Sequence, residues 1–302
     1  MKQKFIILTD SSSTVNPNET NGLAIRVLPL TIMRSDEKLF VDEPTTLPHN
    51  EVFAYLNKDY SFMTSTSLLG TVHETIAQLA QEYERIIYIG ISKGFSSQYN
   101  NLKILEREYP NQLIVEDSQT FGYALEYLAE LLIKTLSQKD LSEIEIRQLI
   151  NQFALKTSSM FVCKDIKSLV KSGRISKIKG VFLKMTHISP IIKQEYKNHY
   201  GGLARKYDEA YIKMVDLIDQ VYANQLDQDN IEKICILHAN LDDFYLNKIT
   251  SYLIKHYGLN LNQIVYRPGP NVFTVYTREK SYAIQVVTKI KKVIVKEYYP
   301  LQ

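Results

Sequence analysis

The sharpest change from hydrophobic to polar positions lies within residues 86–100, which read IIYIGISKGFSSQYN. Four apolar residues lead into Gly90, after which the composition turns to glycine and serine. This pattern predicts a buried strand that ends in a polar loop, followed by a helix over residues 101–109 before Pro110. Ligands of open α/β sheets bind at the carboxyl ends of the strands, so the loop is a candidate binding site.

The rest of the first half repeats this alternation of strand, polar loop and helix. Predicted strands cover residues 5–8, 23–32, 39–42 and 113–115, and predicted helices cover 50–56, 72–83, 123–136 and 143–155. Pro29 favours an edge position for its strand, and Ser142 is a predicted helix cap. Residues 63–70 (MTSTSLLG) form a predicted hydroxyl-rich loop. Strands that alternate with helices predict an α/β fold with a mainly parallel, Rossmann-like sheet flanked by helices.

The second half predicts a further α/β domain. Its predicted elements are a strand at 159–163, a helix capped by Asp165, an apolar segment at 182–192, a turn at 197–202, helices at 208–223 and 242–256, and strands at 233–238 and 263–266. The tail, residues 282–299, fits either a basic amphipathic helix or a strand. We therefore predict an N-terminal domain over 1–157 and a C-terminal domain over 158–302.

Composition narrows the class of protein. The 302 residues are 45% apolar and 23% charged, as expected for a globular protein of two domains. No signal peptide or eighteen-residue apolar run is present, which predicts a cytoplasmic protein. The net charge of +3 does not indicate nucleic acid binding. Scattered histidines and two cysteines in apolar runs, Cys163 and Cys235, predict neither a metal site nor a disulfide.

One motif suggests an enzyme. Gly90-Ile91-Ser92-Lys93-Gly94 matches the GxSxG nucleophile elbow of serine hydrolases, after a strand and before a helix, with Asp117 and His238 as candidate acid and base. Against this interpretation, no HGGG-like oxyanion segment occurs, and the helix is predicted to begin several residues after Ser92. A serine hydrolase remains the alternative function.

Three hydroxyl clusters follow predicted strands, at residues 9–14, 64–67 and 96–97. Serine and threonine commonly cap helices, and this is the ordinary explanation for each cluster. Parallel strands, however, bring their carboxyl ends to one rim, where hydroxyls can bind a carboxylate or a phosphate. Only nine of the 36 basic residues are arginine, and Arg174, Arg205 and Arg267 each lie beside a turn. An anion-binding module for another small molecule therefore also stays open.

Several segments, taken in order, resemble the DegV family of bacterial fatty-acid-binding proteins. The family's DSS follows the first strand here as Asp10-Ser11-Ser12, and its TSQPS resembles residues 64–67 without the proline. The family's ISSGLSGTY is similar to residues 91–99, and its DS after a strand is similar to residues 117–118. Its GGRIS, KPI and HxGPG segments are similar to residues 172–176, 189–191 and 267–271, respectively. The resemblance covers nearly the whole chain.

The resemblance implies a protein that buries a long-chain fatty acid between two α/β domains, without other cofactors and without catalysis. The carboxylate would be held by Thr64 and Ser96, and we include their neighbours Ser65 and Ser97, together with Arg174, among the candidate ligand-binding residues. Arg267 stands where the family has histidine, which would place a permanent cation near the head group. Family members present the acid to a separate kinase that forms an acyl phosphate, and Arg205 is implicated in docking that partner.

The basic tail raises one further possibility. Lys289, Lys291, Lys292 and Lys296 lie close together in the sequence and could contact an anionic membrane during lipid exchange. A solvated basic face is the commoner explanation of such a pattern. Both interpretations stay open at this point.

Overall fold

The computed structural model describes residues 2–20, 22–58, 60–163, 166–175 and 189–289. In chain order, its strands are β1 (Gln3–Asp10), β2 (Ile25–Leu28), β3 (Thr31–Arg34), β4 (Leu39–Val41), β5 (Phe62–Ser65), β6 (Tyr83–Gly90), β7 (Leu113–Asp117), β8 (Thr157–Val162), β9 (Ser189–Gln194), β10 (Asn198–Ala204), β11 (Ile231–His238), β12 (Ile264–Pro268) and β13 (Tyr282–Thr288). The α-helices are α1 (His49–Leu56), α2 (Leu69–Glu82), α3 (Gln98–Leu105), α4 (Tyr123–Gln138), α5 (Glu143–Ala154), α6 (Lys167–Lys171), α7 (Ala210–Val221), α8 (Asp243–Tyr257) and α9 (Asn271–Thr277).

The first sheet is fully parallel, with strand order β2-β1-β6-β7. Helices α2 and α3 pack on one face of it, and α4 and α5 pack on the other. The predicted Rossmann-like sheet with flanking helices is therefore confirmed. Because all four strands run the same way, Asp10, Leu28, Gly90 and Asp117 end them at one common rim.

The helices of this half follow their apolar periodicity. In α2 the residues Val72, Ile76 and Leu79, spaced four and three apart, are buried. Tyr83, which continues the same spacing, instead begins β6. Ser142 caps α5 as predicted, and its hydroxyl accepts from the Glu145 backbone while the Glu145 carboxylate accepts in return.

A separate three-stranded antiparallel sheet, of order β4-β3-β5, was not predicted as such. Residues 23–32 do not form one strand, because the chain is interrupted at Pro29 and Leu30 between β2 and β3. β2 lies at the edge of the parallel sheet, whereas Thr31 in β3 pairs with Val41 on one side and Ser65 on the other. Residues 62–65 are thus a strand and not the start of a loop.

The second half builds a six-stranded mixed sheet of order β10-β9-β8-β13-β11-β12. The predicted turn at Gly201 and Gly202 is wrong, because both residues lie inside β10, where the pairing with β9 shifts register. The first part of the tail is the central strand β13, antiparallel to β8 and β11, and not a helix. The predicted cap Asp165, the segment 176–188 and the tail beyond residue 289 lie outside the described residues.

The small sheet lies in the first half of the sequence but shares a hydrophobic core with the second half. Ile32, Phe40 and Val52 belong to one buried cluster with Phe161 and Val275, on one face of the six-stranded sheet. Helices α7 and α8 cover the opposite face of that sheet. The predicted boundary after residue 157 stays a prediction, and β8 begins at that residue.

Helix α9 is bonded to the first half at both ends. The side-chain amide of Asn271 donates to Asp42 Oδ1 and to the Leu47 carbonyl, both at 3.0 Å, and its oxygen lies 2.7 Å from His49 Nδ1. Just past the other end, Arg278 donates to the Leu56 carbonyl at 2.9 Å. These bonds fix α9 against α1 and the small sheet.

The buried Asp42 carboxylate predicts a pH dependence of stability. Burial raises the pKa of Asp42 to about 6 from its usual 3.8, against the lowering effect of hydrogen bonds from Ser11 and Asn271, while Asp10 and Glu43 nearby raise it further. Between these two values the folded protein keeps a proton that the unfolded chain has lost. The free energy of unfolding therefore falls as pH rises from below 4 to above 6, by about 3 kcal/mol in total from this group.

Asp42→Asn removes this titration, so we expect the variant to gain stability relative to the wild type as pH rises from 4 to 7. Urea unfolding at several pH values measures the difference between the two proteins. Asp10, whose pKa burial also raises, is present in both proteins, so their difference reports the titration of Asp42 together with its coupling to Asp10. A difference that does not change with pH would contradict the raised pKa of Asp42.

Candidate binding site

A cavity of about 220 Å³ lies where the two halves of the chain meet. The first half lines it with the end of β5 and the loop after β6, and the second half with residues around α6, β10 and α9. The lining residues are Leu30, Thr64, Ser65, Thr66, Ile91, Phe95, Ser96, Ser97, Leu169, Arg174, Asn198, Val272, Phe273 and Tyr276.

Two of the three predicted hydroxyl clusters meet in this cavity. Thr64 and Ser96 are half-buried in its wall, while Ser65 and Ser97 are exposed. Arg174, which is distant in sequence from both clusters, lines the same cavity. The structure thus brings together five of the six predicted ligand-binding residues. Their contacts with a ligand stay a prediction.

The two hydroxyl loops are joined by a buried glutamine. Gln98 Oε1 accepts from the Ser67 backbone N–H at 3.0 Å, and Gln98 Nε2 donates to Ser67 Oγ at 2.8 Å. Gln98 begins α3, which starts three residues earlier than predicted. No short-range sequence signal identifies this contact, because its partner lies 31 residues away.

Arg174 supplies the cavity with a cation. Its Nη2 donates to the Thr64 carbonyl at 3.1 Å, and its guanidinium carbon lies 5.0 Å from the centre of the Tyr276 ring. Among the described residues no carboxylate lies within ion-pair distance of Arg174. The positive charge beside the hydroxyls is therefore not neutralised by that part of the protein.

Arg267 does not line the cavity, so the structure does not support its predicted place near a head group. Its Nη2 lies 2.7 Å from Oε1 of Glu126, its Nε also donates to that carboxylate, and its guanidinium faces the Tyr123 ring. Glu126, which also accepts from Thr14, is only 7% exposed. A buried carboxylate requires a partner, and Arg267 provides it.

Arg205 lies outside the cavity as well. It is exposed and directly follows β10. An exposed arginine at this place is compatible with a partner contact, and its predicted role in docking a kinase remains a prediction.

The inner wall of the cavity is apolar and aromatic. Phe273 stacks on Phe121 with ring centres 4.0 Å apart, and both rings meet Phe95 edge-on. A second, smaller and mainly apolar cavity of about 40 Å³ is lined by both Phe121 and Phe273. Phe273 therefore lies in the walls of both cavities.

Asp10, from the predicted DSS motif, holds the loop after β6 in place. Its Oδ2 accepts from the Tyr88 hydroxyl at 2.7 Å and from the Ile91 backbone N–H at 2.9 Å. Burial raises the pKa of Asp10 even though these bonds favour the carboxylate. A side chain on Gly90 would overlap this pair, since an added Cβ would lie 1.9 Å from the Tyr88 oxygen. The motif has a structural role here.

The structure does not support the serine hydrolase alternative. Ser92 is fully buried and donates to the Tyr196 carbonyl at 2.9 Å. Asp117 accepts from the backbone N–H groups of Lys93 and Gln119, and His238 Nδ1 accepts from the Leu241 N–H. Each member of the predicted triad is thus bonded to another part of the molecule.

Among the described residues, no group of three or more histidine, cysteine, aspartate or glutamate side chains has the arrangement of a metal site. No helix within those residues has the length and apolar character needed to cross a bilayer. Cys163 and Cys235 are both buried. Of the four tail lysines, Lys289 donates to the Asp229 carbonyl at 2.8 Å, and the other three lie outside the described residues.

Comparison with known proteins places this architecture in a family. Residues 4–289 match a family model described as an uncharacterised protein of the DegV family. A DegV domain-containing protein of Ureaplasma parvum is 41% identical over 292 residues, which cover 97% of this chain and 98% of that protein. A DegV domain-containing protein of Mycoplasma genitalium is 24% identical over 297 residues.

Solved structures share the fold. The crystal structure of a fatty acid binding DegV family protein from Streptococcus agalactiae matches with a TM-score of 0.82 and 20% identity, covering 95% of this chain and all of that one. The fatty acid kinase B3 protein of Streptococcus pneumoniae, loaded with linoleic acid, matches with a TM-score of 0.77 and 19% identity over 94% and 99% of the two chains.

The position of Ser92 predicts that it is not a nucleophile. We expect no labelling of Ser92 by a fluorophosphonate probe, because the side chain is buried and its proton is donated to Tyr196. Ser92→Ala should destabilise the fold by about 1–3 kcal/mol, since it removes a buried hydroxyl that donates to the Tyr196 carbonyl and accepts from the Gly94 N–H. Mass spectrometry of the probe-treated protein measures the labelling, with an active serine hydrolase in the same tube as a positive control. Stoichiometric labelling of Ser92 would contradict this assignment.

Proposed function

The chain belongs to the DegV family, and we propose that it binds and carries one long-chain fatty acid without catalysing a reaction on it. The observation that carries the proposal is the composition of the cavity. Hydroxyl side chains, Asn198 and the unneutralised Arg174 share its wall with aliphatic and aromatic side chains. This combination is complementary to a carboxylate that continues into a hydrocarbon chain.

The polar part of the cavity suits a carboxylate. Thr64 and Ser96 carry hydroxyl donors, and Arg174 provides a fixed positive charge. A hydrogen bond to a charged group contributes about 1.5 to 3 kcal/mol. A few such contacts are enough to fix the head group in one orientation.

The apolar part supplies most of the affinity in this proposal. A chain of about sixteen carbons gains ~0.8 kcal/mol for each buried methylene. We place the chain along Ile91, Phe95 and Leu169 and, once the Phe273 ring moves, into the second cavity that this ring also lines. The relative from Streptococcus pneumoniae, whose structure holds linoleic acid, supports an apolar ligand of this length.

A relative also supports a proposal for the finer biological role. One structural relative is a fatty acid kinase B3 protein. We propose that this chain presents its acid to a kinase that forms an acyl phosphate, with the exposed Arg205 at the docking surface. Because such a kinase uses nucleotide from the cytoplasm, this role places the protein there. Membrane contact by the tail lysines is not part of the proposal.

The first experiment identifies the bound molecule. We expect native mass spectrometry of the purified protein to show one added mass per chain, and extraction under denaturing conditions to release a single long-chain fatty acid. The same experiment gives the length and unsaturation of the chain. Protein that is isolated empty and, by calorimetry, takes up neither palmitate nor oleate would overturn the proposal.

Two arginine substitutions separate the site from the rest of the surface. Arg174→Gln removes the cation in the cavity, so we expect the Kd for oleate to rise by about tenfold or more. Arg267→Gln is the matched control, because it removes an arginine whose charge is used by Glu126 outside the cavity. We expect this control to lose stability but to keep the wild-type Kd.

Calorimetry with delipidated proteins measures both constants, and thermal unfolding confirms that each variant is folded. If the control lost affinity while Arg174→Gln kept it, the head group would have to lie at Arg267, and the site proposed above would be wrong.

A further inference from the structure

We propose that Tyr276 is a head-group residue, whose hydroxyl donates to the bound carboxylate and positions Thr64. This inference rests on the proposed function and adds a ligand-binding residue to it. Neither the hydroxyl clusters nor the arginines in the sequence point to this tyrosine. Its assignment comes from the contacts that it makes inside the cavity.

Tyr276 contacts two of the predicted ligand-binding residues at once. Its hydroxyl oxygen accepts from the Thr64 backbone N–H at 2.8 Å and lies 3.1 Å from Thr64 Oγ1. Its ring faces the guanidinium of Arg174, which itself donates to the Thr64 carbonyl. Thr64, Arg174 and Tyr276 therefore form one connected polar group in the wall of the cavity.

This polar group has a hydroxyl proton that it can donate to a ligand. The two hydroxyls of Thr64 and Tyr276 carry two protons, and their mutual hydrogen bond uses one of them. The second proton remains available to an acceptor. Because a carboxylate is a stronger acceptor than a hydroxyl, a bound head group can also replace the mutual bond and receive both protons. Tyr276 keeps its orientation in that state, since it still accepts from the Thr64 N–H.

The surroundings hold Tyr276 ready for this role. It lies on α9, whose first residue, Asn271, is hydrogen-bonded to Asp42 and Leu47. Arg278, which directly follows the helix, is hydrogen-bonded to the Leu56 carbonyl. Tyr276 itself is 4% exposed, and its neighbours Val272 and Phe273 line the same cavity. The hydroxyl is thus fixed before a ligand arrives, so that little conformational freedom is lost on binding.

This arrangement places donors to the carboxylate in both halves of the chain. Thr64 and Ser96 belong to the first half, whereas Arg174 and Tyr276 belong to the second. A carboxylate between them would connect α9 to the end of β5 through its own oxygens.

The test compares Tyr276→Phe with the wild type, using oleate and its methyl ester as probes. The substitution removes the hydroxyl and keeps the ring beside Arg174. We expect the Kd for oleate to rise by about tenfold or more, and the Kd for the methyl ester to change much less, because the ester has no negative charge. A loss of packing alone would weaken both probes equally, so the ratio of the two constants reports the hydrogen bond.

Tyr123→Phe is the matched control, because Tyr123 also faces an arginine, Arg267, but lies outside the cavity. We expect it to bind both probes as the wild type does. If Tyr276→Phe does not fold, 3-fluorotyrosine at position 276 replaces it as the variant. Its more acidic hydroxyl is a stronger donor, so oleate should bind more tightly relative to the methyl ester.

The outcomes separate this inference from the proposed function. A wild-type protein that binds no oleate contradicts the proposed function itself. If the wild type binds and Tyr276→Phe has the same Kd for oleate, or a lower one, the inference is overturned, because the hydroxyl would then be idle or would obstruct the ligand. An equal loss for oleate and ester overturns it too, since it assigns a purely structural role.

Discussion

The hydrogen bonds of Asn271 are the constraint on which the cavity depends. Its side-chain amide joins a buried carboxylate, a main-chain carbonyl and a histidine of the first half to the start of α9. That helix in turn contributes Val272, Phe273 and Tyr276 to the cavity wall. If α9 were displaced, Thr64 would lose its contact with Tyr276 and the aromatic stack of Phe121 and Phe273 would open.

Arg174 and Arg267 both lie beside turns in the sequence, but they have different roles because Arg267 pairs with the carboxylate of Glu126. Glu126 is buried and takes up the charge of Arg267, so that arginine serves the fold. Arg174 has two carbonyls, those of Thr64 and Ser172, and an aromatic ring as its described partners, and its charge stays available to a ligand. Local sequence does not distinguish the two cases, because Glu126 is 141 residues from Arg267.

The predictable parts of the structure are those controlled by local pattern. The parallel sheet, its flanking helices and the capped start of α5 follow from apolar periodicity and from side-chain capping. The clusters that hold Thr64 and Ser96 were expected to meet at the rim of one parallel sheet, but this is not the reason that they meet. Ser96 follows the parallel strand β6, whereas Thr64 lies in β5 of the antiparallel sheet. The small sheet, Gln98 and Tyr276 could not be found in this way, because each depends on a partner far along the chain. β5 was missed because its four residues read as a hydroxyl-rich loop, and β10 because two glycines usually indicate a turn.

The core that the small sheet shares with the six-stranded sheet affects how any occupant leaves the cavity. Residues such as Ile32 and Phe40 are packed against side chains of the second half, so the two halves are not independent bodies joined by a hinge. Widening the passage requires apolar surface to separate, at a cost that grows with the area exposed to water. The rate at which an occupant leaves would then depend more on how fast the core opens locally than on the strength of the head-group contacts. Under the proposed function, the protein would retain its ligand kinetically, and loosening of α9 would control the release.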